Sequence, residues 1–92
     1  MIKSFKHKGL KKFFETGVTA GIQAAHIKKL RAQLIMLDSA KSPEDMNLPG
    51  WDWHPLRGFK PKRWSVHVNG NWCITYEFEN GDAYVVDYED YH

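Results

Sequence analysis

The chain has a single cysteine, Cys73, in 92 residues. That excludes an intrachain disulfide and suits a cytoplasmic protein. It has no apolar run of 18 residues, which excludes a transmembrane helix. The charged opening MIKSFKHKG is not followed by the apolar stretch that a secretory signal needs. A glycine-rich phosphate loop and a Ser-His-Asp pattern are both missing. His54, His67, His92 and Asp90 have no tight ligand spacing such as HExxH, so neither a metal nor another cofactor is expected. There is no internal repeat or low-complexity segment, and the length fits one domain, residues 1–92, with a modest core.

The most informative absence is of positive charge at one end. Residues 64–92 contain six acids and no Lys or Arg. All 13 Lys and Arg lie in residues 1–63, against five acids there. The formal charge of +2 therefore hides a surplus of eight positive charges followed by one of six negative charges. Such asymmetry fits either a polyanionic partner, nucleic acid above all, or pairing within the chain. A single lysine on a helix is commonly just a solvated face; the clustering is what favours nucleic acid.

The acidic segment, WSVHVNGNWCITYEFENGDAYVVDYEDYH, reads as three antiparallel strands. Trp64, Val66 and Val68 alternate with Ser65, His67 and Asn69. Trp72, Ile74, Tyr76 and Phe78 share a face opposed by Cys73, Thr75 and Glu77. Period-two alternation of aromatic and β-branched residues predicts a half-buried sheet. Asn69-Gly70 and Asn80-Gly81 are the expected positive-φ turns. A third strand over residues 83–88 would carry the tail Asp90, Tyr91 and His92 to the sheet's edge.

Residues 2–6 are expected to add a short strand. Leu10, Phe13 and Phe14 predict a helix over residues 9–16, stopped by Gly17. Ile27, Leu30, Leu34 and Leu37 predict a longer helix over residues 21–39, with Thr19 as a possible cap and Lys28, Lys29 and Arg31 mostly off the buried stripe. Ser42-Pro43 starts a one-turn helix. The fold class is α+β, two N-terminal helices packed on a twisted antiparallel sheet.

Residues 49–63 read as an irregular stretch in which Trp51, Trp53 and Phe59 alternate with Arg57, Lys60, Lys62 and Arg63. Basic residues among aromatics suit phosphates and unstacked bases, although tryptophans that merely anchor a loop would look the same. His54 precedes Pro55, which holds its backbone extended. His92, the last residue of the sequence, carries a carboxylate beside its imidazole and has Asp90 two residues away, a setting that favours proton transfer. Either histidine can instead be structural, or part of a mobile tail. Cys73 in mid-strand has no helix N-terminus behind it and is a poor nucleophile.

The segments IKSFKHKGLKKFFE, SPEDMNLPGW, HPLRG, VNGNW and NGDAYVVDYEDYH together resemble the HigB toxins, a branch of the RelE-like toxin superfamily. The similarity runs over essentially the whole chain, as a single RelE/HigB-like domain. It implies a ribosome-dependent endoribonuclease that cuts mRNA in the A site of the 70S ribosome. It implies a HigA-type helix-turn-helix antitoxin as partner, with operator DNA engaged only through that antitoxin, and no membrane. A stand-alone DNA-binding domain has no support, because no recognition helix is evident.

By the resemblance, the catalytic positions are His54 and Arg57 of the HPL[KR]G loop and Asp90, Tyr91 and His92 of the tail. The implied reaction is attack of a ribose 2′-hydroxyl on its 3′-phosphate. His54 and His92 would share proton transfer, Asp90 would orient an imidazole, Tyr91 would stack or hydrogen-bond, and Arg57 would clamp the phosphate. Lys28, Lys29, Lys60, Lys62 and Asn71 are the expected contacts to RNA and ribosome. One departure stands out. The family pattern N-W-R-I-T has an arginine where this chain has Cys73, and no Lys or Arg is expected on the neighbouring polar face. Loss of one transition-state donor costs about 10²–10³ in rate, so a weakened or inactive enzyme is expected. Either selection for viable hosts or natural divergence would produce that change. The alternative is a protein that binds antitoxin or RNA without cutting.

Overall fold

The structure is a computed structural model that describes residues 1–90. Helix α1 spans Lys8–Thr16 and α2 spans Ile27–Ser39. Four strands follow: β1 His54–Leu56, β2 Arg63–Asn69, β3 Trp72–Glu79 and β4 Asp82–Asp90. They form one antiparallel sheet in the order β1-β2-β3-β4.

Helix α1 starts where the His7 ring nitrogen Nδ1 accepts the Leu10 N–H at 2.9 Å, satisfying one of the free amides of the first turn. It stops at Gly17, whose N–H still donates to the Phe13 carbonyl at 2.8 Å and whose φ of 80° turns the chain out of the helix. Leu10 and Phe13 are buried, while Lys8, Lys11 and Lys12 are exposed. Helix α2 begins later than its sequence pattern predicts. Residues 21–26 form a turn and a short 3₁₀ segment, Ala24–His26, and Thr19 caps no helix. The reason is local: Gly21 takes a φ of 84°, which a helix interior does not allow, and residues 18–26 lack an apolar period. From there Leu30, Leu34 and Leu37 pack on the sheet's inner face with Val66, Val68, Ile74, Tyr76, Ala83, Val86 and Tyr88. Asp45 accepts hydrogen bonds from the backbone of Lys41 and Ser42 and from the Ser42 hydroxyl, closing the 3₁₀ turn Pro43–Met46.

The sheet differs from its sequence pattern in three ways. A fourth strand, β1, lies inside the stretch read as irregular, and it pairs His54 with Ser65 and Leu56 with Arg63. Its central residue is Pro55, tolerated because β1 is an edge strand. Residues 2–6 form no strand of their own but make parallel bridges to β4 at Ile2–Ala83 and Phe5–Val86. The first tight turn is Gly70-Asn71, with positive φ at Gly70 alone, whereas Asn80 and Gly81 both have positive φ, as a type I′ hairpin requires.

A bulge interrupts the β3–β4 ladder between Thr75 and Glu77. Opposite it Val85 has a φ of 50°, an outlier for a β-branched residue. Its N–H donates to Ser4 Oγ at 2.8 Å, and its carbonyl accepts from Arg63 Nη2 at 2.8 Å. The extra residue shifts the phase, so Ala83 and Val86, three apart, both face the core.

His26 is buried, with Nδ1 2.6 Å from the Tyr88 hydroxyl and its ring edge-on to Trp72 and Tyr88. Desolvation holds its pKa below the ordinary 6.5. Between the lowered folded value and 6.5 the unfolded chain therefore binds more protons. The contribution of His26 is complete above that value and is lost as pH falls below it. Urea melts should give a lower midpoint at about pH 5 than at about pH 7.5, with a smaller difference in His26→Asn. The same pH dependence in both proteins would rule His26 out as its source.

Candidate active site

The open face of the sheet is laid out by register. Residues directly opposite on neighbouring strands point to the same face. One row runs His54, Ser65, Thr75, Asp87, and the next runs His67, Cys73, Glu89. At the β1 side these rows floor a cleft of about 250 Å³. Strand β1 contributes His54 and Leu56, β2 contributes Ser65 and His67, and β3 contributes Trp72 and Cys73. Asp52 and the Gly70-Asn71 turn complete the rim.

His54 is 49 % exposed in its side chain, and its Nδ1 lies 2.8 Å from the Asp52 carbonyl. A carbonyl only accepts, so Nδ1 holds the proton and Nε2 keeps its lone pair in the neutral ring. The Asp52 carboxylate lies 4.0 Å from the same nitrogen. The ring is thus oriented as a base facing solvent. His67 is held the other way round, with Nε2 2.9 Å from the Gly70 carbonyl.

Cys73 is only 6 % exposed, although strand alternation predicts an open position. Both faces of β3 are covered from Cys73 to Tyr76. Burial raises the thiol's pKa, the Ser65 hydrogen bond lowers it, and Glu89, Asp87 and Asp90 raise it again. The thiol therefore stays protonated, against a nucleophilic role.

The polar face does carry an arginine, contrary to the sequence reading. Arg63, 7 % exposed, lies on it, and among the described residues its hydrogen bonds go to the sheet itself. Nη1 donates to Glu77 at 3.3 Å, and Nη2 donates to Thr75 Oγ1 at 2.9 Å and to the Val85 carbonyl. Thr75 in turn donates to Glu89 at 2.6 Å. This guanidinium is spent on holding the bulge and its carboxylates.

The remaining predicted residues fall in three places. Asn71 lines the cleft beside His54 and Cys73. Arg57 sits in the turn after β1, exposed and outside the cleft lining. Lys60 and Lys62 are exposed in the β1–β2 connection, and Lys62 Nζ lies 5.6 Å from the Trp64 ring centroid. Lys28 is exposed and Lys29 half-buried at the start of α2. Asp90 ends β4, paired with Trp72 at the far edge of the cleft. Tyr91 and His92 lie outside the described residues. The sequence points to no site role for Ser65 or Asp52, to His67 as a metal ligand alone, and to Arg63 only as one of the basic residues among aromatics in the stretch over residues 49–63. The signal for three of them is present in the sequence: Ser65 and His67 alternate on the face of Cys73, and Arg63 extends that alternation by one step. Among the described residues no group of three or more His, Cys, Asp or Glu is arranged to hold a metal, and no helix is long and apolar enough to cross a membrane.

A small antiparallel sheet with two helices on one face and a histidine-lined cleft on the other is consistent with the RelE-like architecture. The sequence model described as RelE-like toxin of type II toxin-antitoxin system HigB matches residues 3–92. The chain is also 48 % identical, over the full length of both proteins, to a Proteus vulgaris protein named Endoribonuclease HigB. The chain belongs to the HigB family of RelE-like toxins, and as a type II toxin it has an antitoxin partner.

Proposed function

We propose that this toxin, one domain over residues 1–92, is a ribosome-dependent endoribonuclease that cuts mRNA in the A site. RNA cleavage as such follows from the family and from the named activity of the Proteus relative. The observation that carries the mechanism is the fixed tautomer of His54. With Nδ1–H tied to the Asp52 carbonyl, Nε2 is free to take the 2′-hydroxyl proton. The 2′-oxygen attacks the adjacent phosphorus, and the 5′-oxygen leaves, giving a cyclic phosphate and a free 5′-hydroxyl. His92 protonates that leaving oxygen, with Asp90 and Tyr91 supporting the tail and Arg57 closing on the phosphate from the β1 turn. Asn71 contacts the RNA at the cleft rim.

The deficit at position 73 sets the rate. A buried neutral thiol offers nothing to a phosphorane. Cys73→Arg is expected to raise cleavage by about 10²-fold or more, equivalent to ~2.7 kcal/mol. Because Cys73 is buried, the larger side chain also carries a stability cost of about 1–3 kcal/mol. Mapping of 5′ ends on programmed ribosomes, with both proteins, tests the reading. Cuts by neither protein would leave a toxin-fold protein that binds without cutting. Equal rates would show that a guanidinium at 73 is not needed.

The antitoxin is of HigA type, with a helix-turn-helix through which alone the pair meets operator DNA. The site of action is the cytoplasm. Lys28, Lys29, Lys60 and Lys62 dock ribosomal RNA without reading sequence. Their replacement by glutamine should weaken ribosome binding and reduce its salt slope by close to one unit per lost phosphate contact, with codon preference unchanged. Unaltered binding at physiological salt would leave them a solvated surface.

A further inference from the structure

His54 and His67 are the two residues of the cleft lining that can carry positive charge; among the described residues no Lys or Arg lines it. Arg63, the nearest guanidinium on that face by register, is committed to Glu77, Thr75 and Val85. Cutting a phosphodiester builds negative charge on the non-bridging oxygens, and that charge needs a donor placed in advance. His54 is occupied with the 2′-hydroxyl.

His67 is held in place through both its backbone and its ring. Its N–H donates to the Trp51 carbonyl at 2.7 Å, and its carbonyl accepts from Gln33 Nε2, a fully buried side chain of α2, at 2.9 Å. Its ring is fixed by Nε2–H donating to the Gly70 carbonyl; among the described residues no hydrogen bond occupies Nδ1, which holds a lone pair in the neutral ring. The titratable groups around it are Asp52 and His54 on the β1 side, Cys73 directly across on β3, and Glu89 beyond Cys73 on β4.

We propose that His67 is a second catalytic residue of the cleft, contacting the scissile phosphate through Nδ1, which takes up a proton from solvent as the anionic phosphate binds beside it. The inference rests on the endoribonuclease reading above. His54 takes the 2′-hydroxyl proton as the 2′-O–P bond forms. The P–O5′ bond breaks with its electron pair on the 5′-oxygen, which is protonated by His92. Through both steps His67 keeps its protons and meets the charge on the phosphate oxygens.

The register supplies the test. Because Cys73 faces His67 across the ladder, an arginine at 73 occupies the same part of the cleft. Cleavage of ribosome-bound mRNA is measured for the parent, His67→Ala, Cys73→Arg and the double variant. His67→Ala should lower kcat by about 10²-fold, with KM within about threefold. In the Cys73→Arg background the loss should shrink to less than about tenfold, because the guanidinium stands in. A merely structural histidine would cost the same in both backgrounds, and that result overturns the proposal. So does full activity of His67→Ala, or an inactive parent whose Cys73→Arg form cuts. If neither parent nor Cys73→Arg cuts any RNA, the endoribonuclease reading itself falls and takes His67 with it.

Discussion

Replacing His54 by alanine should lower mRNA cleavage by about 10²–10⁴-fold while leaving the fold and antitoxin binding in place. The size follows from the role. A positioned general base contributes that much when no neighbour can take over. The other cleft imidazole, His67, has its Nε2 committed to Gly70 and sits on β2, one row further along the sheet. The harmlessness to folding follows from the site. His54 is half exposed on an edge strand of three residues, and among the described residues its one ring hydrogen bond is to the carbonyl of Asp52, two residues back. A surface residue of this kind changes stability by about 0.5 kcal/mol or less. The second readout is His54→Gln, which keeps polarity but has no basic nitrogen, and it should be as inactive as alanine. Toxicity in cells lacking antitoxin, 5′-end mapping and a urea melt together decide the matter. If His54→Ala cuts at the parent's rate, the base lies elsewhere, and the tail becomes the place to look.

Much of this arrangement is legible in the chain because its determinants are local. Helix α1 announces itself through Leu10, Phe13 and Phe14 and ends at the glycine that its last turn needs. The two hairpins follow from alternation and from turn glycines, although which residues close the first one is decided by pairing: Asn69 meets Trp72, so the turn moves one residue on. What is not legible depends on partners distant in sequence. Strand β1 is three residues long with a proline in the middle, and only its pairing with β2 makes it a strand. The bulge at Val85 contradicts valine's own preference and exists because Ser4 and Arg63, 81 and 22 residues away, hold it. The burial of Cys73 likewise depends on what covers a second sheet face, which alternation alone does not specify. The open face of the sheet is therefore readable as a set of side chains, but its charge balance is not. A cation in the sequence, Arg63, is paired with Glu77 in the fold, and the residues of the cleft lining that can carry positive charge are the imidazoles of His54 and His67.

Arg63→Ala should cost about 3 kcal/mol of stability, the lower end of the range for breaking a buried ion pair, because Glu77 keeps some contact with water. The guanidinium makes three bonds from a site that is nearly closed: to Glu77, to Thr75 Oγ1 and to the Val85 carbonyl. Deleting it leaves a carboxylate without its cation and a carbonyl without its donor, at the residue whose φ of 50° is already unfavourable. Thr75 passes the disturbance on, since its hydroxyl donates to Glu89 and its backbone faces Asp87 across the ladder. A domain of this size has about 5–15 kcal/mol in total, so the variant should melt roughly 10 °C or more below the parent. Arg63→Lys should recover only part of the loss, because an ammonium at the end of a flexible stem cannot span the same three acceptors. Arg63→Met combined with Glu77→Leu should sit closer to the parent than Arg63→Ala does, since it removes the orphaned charge along with its partner. Were Arg63 instead a phosphate ligand of the reaction, Arg63→Ala would lower cleavage at temperatures where the variant is fully folded and leave the urea midpoint unchanged. Thermal melts and cleavage assays below the transition separate the two outcomes.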